Sequence, residues 1–132
     1  MMINKQTIKP FALFLAILML VTYGSLGSGE EAGKLNMLKF PNSDKVIHGV
    51  MYFLLTASLI YFLIHLFHTF KSWKIYLVAI ASPIIYGFLM ELLQYLLTTT
   101  RNAEFWDFFA NTVGVLTAFL VSLVYFNYKE TM

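Results

Sequence analysis

Residues 86–114 read YGFLMELLQYLLTTTRNAEFWDFFANTVG, an apolar background interrupted by Glu91, Gln94, Arg101, Glu104, Asp107 and Asn111. A second polar set, Asp44, Lys45, His48 and Tyr52, stands at the start of another apolar run. An ionisable side chain in lipid costs roughly 3 kcal/mol or more unless it finds a partner or water, so such residues mark functional sites by default. Two chemistries suit this set. Arg101 and Lys45 can clamp a phosphate or carboxylate, Arg101 through its planar fork, with His48 giving or taking a proton. Alternatively the groups pair among themselves, Arg101 with Asp107 or Glu91, while Gln94 and Asn111 form interhelical hydrogen bonds. The balance is two cations against four carboxylates, Asp44, Glu91, Glu104 and Asp107.

Other chemistries are less well served. His48, Glu91 and Asp107 offer one imidazole and two carboxylates, but from separate segments and without diagnostic metal-ligand spacing. No metal and no cofactor is therefore expected. Ser82 precedes Glu91 by nine residues, about 13 Å along a helix, which gives a serine triad no support. Glu104 is explained by a place in a helix's first turn, and Asp44 by the same dipole argument. Tyr52 suits a core or interface aromatic as well as a ligand contact. His65 and His68 read as interfacial side chains at the far end of their segment. Catalytic candidates are His48, Glu91 and Asp107; ligand-binding candidates are Lys45, His48, Glu91, Gln94, Arg101, Asp107 and Asn111.

The elements that must position these groups are membrane helices. Hydrophobic residues make up 59% of the 132 and charged residues only 12%, far from the balance of a soluble domain. A net charge of +2 and the lack of any recognition motif exclude a nucleic-acid partner. With no cysteine there is no disulfide or thiolate metal site. The chain reads as one domain, 1–132, an all-α integral membrane protein whose four transmembrane helices form a compact bundle. Apolar runs place the spans at about 8–26, 46–67, 75–97 and 105–126. The first is read as an uncleaved helix. Asn42, Ser43 and Asp44 supply helix-start chemistry for the second, and Pro83 can kink the third. Phe70, Trp73 and Tyr76 look like aromatic anchors of an interfacial turn. Residues 27–45 form a loop whose Glu30, Glu31, Lys34 and Lys39 are solvated charge.

Four spans put both termini on one side. Lys5, Lys9, Lys71, Lys74 and Lys129 fall there, against Lys34, Lys39, Lys45 and Arg101 on the other side. The first helix favours termini in the cytoplasm of a multi-pass cell-membrane protein. Span two then begins, span three ends and span four begins at the outer side. On helical spacing Gly87, Glu91 and Gln94 share one face, and Asp107, Asn111, Gly114 and Ala118 share another. Every strongly polar membrane position therefore converges on one end of the bundle, whichever way the bundle is inserted. A proton or ion relay, which continues through the membrane, is disfavoured. Ala110, Gly114 and Ala118 recur at four-residue spacing, which suits close helix packing.

Asp44-Lys45-x-x-His48-x-x-x-Tyr52, Glu91-x-x-Gln94, and Arg101 followed after five residues by Asp107-x-x-x-Asn111-x-x-Gly114 resemble the VanZ-like family over residues 44–118. Thr98, Thr99 and Thr100 stand before Arg101 where that family often has Gly or Pro. The resemblance implies a small integral membrane protein linked to reduced sensitivity to the glycopeptide teicoplanin. The expected function is binding or modification of an anionic lipid or cell-wall precursor at an outward-facing polar pocket. The alternative is a membrane-embedded hydrolase or transferase on a lipid-linked substrate, with His48 as acid or base. Expected partners are membrane lipids, a lipid-linked cell-wall precursor or a glycopeptide.

Overall fold

Lipid offers the backbone no hydrogen bonds, so long apolar segments satisfy their amides internally as helices. The computed structural model describes residues 5–27, 41–97 and 104–131. They form four helices: α1 Lys5–Leu26, α2 Ser43–Phe67, α3 Trp73–Leu97 and α4 Phe105–Thr131. All four are long and apolar enough to cross a membrane. The 25 residues of α2 and of α3 extend about 37 Å, enough for a hydrocarbon core of about 30 Å. Arg101, Thr98, Thr99 and Thr100, and the loop charges Glu30, Glu31, Lys34 and Lys39, lie outside the described residues.

α2 is the central element, packing most extensively on α4 and then on α1. The closest approach is at Gly49 and Gly114, where a Cβ built on Gly114 would overlap the Gly49 carbonyl oxygen. Ala118 is buried on the same side of α4, so the small-residue spacing does mark the α2–α4 seam. Association of helices in lipid relies on such close packing because moving apolar surface from lipid to protein gains little. Large side chains such as Phe88, Leu120 and Val124 remain exposed on the outer faces, as a lipid-facing surface requires.

Several local details differ from the sequence reading. Asn42 adopts a left-handed conformation (φ 62°) and makes no side-chain cap. Its carbonyl instead accepts from the amides of Lys45 and Val46. Asparagine tolerates positive φ better than most residues, and the following Asp44 turns to Lys45. At the other end of α2 His68 is also left-handed (φ 54°) and returns its amide to the Ile64 carbonyl, a helix-stop arrangement. α3 runs on through Pro83. Proline there removes one backbone donor, and the Ser82 hydroxyl donates to the Val78 carbonyl in the same turn. Phe70 is not an interfacial anchor. It turns inward against Tyr76, Phe119 and Phe126, closing the bundle opposite the polar end, whereas Trp73 stays exposed.

Candidate functional site

α1 and α3 end, and α2 and α4 begin, at one pole of the bundle. The polar side chains of the sequence analysis meet there. The Lys45 ammonium reaches three carboxylates: Asp44 Oδ2 at 2.8 Å, Glu104 Oε2 at 2.8 Å and Asp107 Oδ1 at 2.9 Å. An ammonium has three N–H donors, and all three are used. Glu104 is thus more than a first-turn acid. Its carbonyl accepts from the Asp107 and Phe108 amides at the start of α4, while its carboxylate crosses to α2. Lys45 is matched by carboxylates and supplies no spare positive charge for an anion clamp.

Asp107 bridges this ion cluster to a second, more buried group. Its Oδ2 lies 3.9 Å from His48 Nε2, and His48 is only 4% exposed. The other imidazole nitrogen, Nδ1, is 3.1 Å from Asn111 Oδ1. With Nδ1–H donating to this carbonyl oxygen, Nε2 keeps its lone pair toward Asp107. Asn111 and Asp107 lie four residues apart on α4, so one helical face meets both nitrogens of the imidazole. Glu91 joins from α3: one potential ligand atom from each of His48, Glu91 and Asp107 lies within 4.8 Å of the others. The sequence brought these three residues to one pole as a candidate set, but their spacing carried no diagnostic ligand pattern, because they come from three helices.

Gln94, one turn beyond Glu91, donates from Nε2 to the Ser25 carbonyl at 2.6 Å. This bond brings the end of α1 into the same pole. Tyr52 is a core residue, fully buried, with its ring against the backbone at Gly87. A Cβ on Gly87 would meet Tyr52 Cε1 at 3.1 Å and Asn111 Nδ2 at 3.4 Å, which explains glycine in the Gly87, Glu91, Gln94 face. Toward the bundle centre, Tyr52 packs near Tyr86, whose hydroxyl hydrogen-bonds Thr22 of α1. Below Tyr86 lies an apolar cavity of about 220 Å³ lined by Phe14, Leu18, Leu55, Leu59, Pro83 and Tyr86 among others. His65 lies at the opposite pole, its Nδ1 on the Tyr61 carbonyl, with His68 three residues on.

No family model, curated protein or solved structure matches the chain. The case for function therefore rests on the site. Among the described residues it is an acidic constellation, buried at Glu91 and Asp107 and open at Asp44 and Glu104, with one saturated ammonium and one imidazole oriented by a carboxamide. The apolar cavity below Tyr86 shares no lining residue with this group.

Proposed function

We propose that the chain is a VanZ-like membrane protein that binds or modifies an anionic, lipid-linked envelope molecule in the outer leaflet. The observation that carries this reading is the His48–Asn111–Asp107–Lys45 network gathered at one pole of a bundle of apolar helices. A lipid headgroup would meet the polar pole and its chain the exposed apolar outer faces of the helices. Because Lys45 is committed to Asp44, Glu104 and Asp107, direct anion recognition falls to Arg101, whose fork suits phosphate or carboxylate. The outer-leaflet placement follows from termini in the cytoplasm. An exported phosphatase fused after Met132 is therefore expected to be inactive, and strong activity would invert the orientation.

A second reading, catalysis, is favoured by the orientation of His48. Asn111 holds Nδ1 and sets the ring, and Nε2, on the side of Asp107, is the nitrogen that would exchange a proton with a substrate. One experiment tests both readings: expression in a teicoplanin-sensitive Gram-positive host, alongside Arg101→Ala and His48→Gln. Reduced teicoplanin sensitivity with unchanged vancomycin sensitivity, lost in Arg101→Ala, is the expected result for binding. A changed lipid species in mass spectra, lost in His48→Gln, is the result expected of an enzyme. No change in susceptibility or lipids in any strain would reject both.

A further inference from the structure

The geometry points to a divalent transition-metal site formed by His48 of α2, Glu91 of α3 and Asp107 of α4. One ligand atom from each lies within 4.8 Å of the others, and all three residues are buried. Two bound ligands on a tetrahedral zinc at about 2.1 Å stand about 3.4 Å apart. The 3.9 Å between His48 Nε2 and Asp107 Oδ2 needs to close by only about half an ångström to reach that spacing.

Proximity is not the only argument. Metal-binding histidines and carboxylates are held by partners on the atoms that do not touch the metal. Both are present here. Asn111 Oδ1 holds His48 Nδ1 at 3.1 Å, which turns Nε2 toward Asp107. Lys45 holds Asp107 Oδ1 at 2.9 Å, which leaves Oδ2. The two second partners thus direct Nε2 and Oδ2 toward one another. A neighbouring group, Asp44, Glu104 and Asp107, also has three carboxylates within reach. There the Lys45 ammonium already supplies the cation, so this second group is not a metal site.

The donor set narrows the ion. An imidazole disfavours Mg²⁺ and Ca²⁺, while two carboxylates with one imidazole suit Zn²⁺ or Mn²⁺. Three protein ligands leave at least one coordination position for water or for an oxygen of an anionic ligand. The cation would also change the electrostatics of an otherwise acidic pole. This inference does not rest on the lipid reading, and binding of the ion is measured without any lipid.

The test uses the full chain in detergent, stripped with a chelator and dialysed. Mn²⁺ is titrated with the free-ion electron paramagnetic resonance signal as readout, and Zn²⁺ by calorimetry. One saturable equivalent per chain is expected. His48→Gln and Asp107→Asn should abolish it, and Asn111→Ala, which removes the partner that orients the imidazole, should weaken it about 10- to 100-fold. Glu104→Gln should leave it nearly unchanged, since Glu104 belongs to the lysine cluster. Since variants at buried positions can also unfold the bundle, spin-echo spectra of Mn²⁺ on the native sequence supply a readout free of substitutions. They should show nitrogen coupling from one imidazole, retained when His65 and His68 are both replaced by glutamine. Absence of saturable binding, absence of imidazole coupling, or coupling that vanishes only in the His65/His68 variant would each overturn the site.

Discussion

Replacing Lys45 with methionine should lower the stability of the bundle by about 2–3 kcal/mol. Removing one partner of a buried ion pair typically costs 3–5 kcal/mol, because the other charge is left uncompensated. The value is set lower here because Lys45 is partly open, with 23% of its side chain accessible. Asp44 and Glu104 are more exposed still, at 43% and 53% of their side chains, and water can replace the lost contact. Asp107 cannot be compensated in that way, with only 11% of its side chain exposed. The loss should therefore reside mainly in Asp107. Adding Asp107→Asn to Lys45→Met should recover a substantial part of it, because the orphaned charge is then gone. Thermal or chemical unfolding in detergent, run as a double-mutant cycle, measures this coupling. Strictly additive losses would show that the two residues do not depend on one another.

The second large effect is steric. Gly114→Ala should destabilise by about 2 kcal/mol, in spite of alanine's better helix propensity, worth about 1 kcal/mol in the opposite direction. The added methyl would meet the Gly49 carbonyl oxygen and approach the Phe53 amide nitrogen to 3.0 Å. These are backbone atoms of the facing helix, which cannot rotate aside, so α2 and α4 must separate. That separation would also move His48 away from Asn111 and Lys45 away from Asp107, since those pairs cross the same seam. Gly49→Ala is the internal control. Its added methyl would lie 3.6 Å from the Ala110 carbonyl oxygen, an ordinary contact, and stability should change little. Equal losses in the two variants, or none in Gly114→Ala, would show that the close approach does not hold the seam.

Much of this architecture was legible in the sequence because a membrane leaves few alternatives. Apolar runs of span length must become helices, and successive spans must alternate in direction. That alternation alone brings the start of α2, the end of α3 and the start of α4 to one pole. The faces followed from helical periodicity: Gly87, Glu91 and Gln94 are buried together on α3, as are Asp107, Asn111 and Ala118 on α4. None of this required knowing which residue touches which.

Tertiary structure decided the partners. Lys45 reads equally well as an anion ligand or an ion-pair member until Asp44, Glu104 and Asp107 are seen around it. Gln94 reads equally well as a ligand contact or an interhelical hydrogen-bond donor until it is found on the Ser25 carbonyl of α1, 69 residues away in sequence. Glu91 and Asp107 share a pole with His48 by connectivity, but only the packing of three helices places them within 4.8 Å. Phe70 reads as an anchor in the interface but seals the far pole. The physical reason is one of scale. Periodicity assigns a residue to a face of a helix and connectivity assigns it to an end. Hydrogen bonds and metal ligation discriminate over about one ångström, a distance set by how closely α2 and α4 approach at Gly49 and Gly114 and by the rotation of each helix about its own axis.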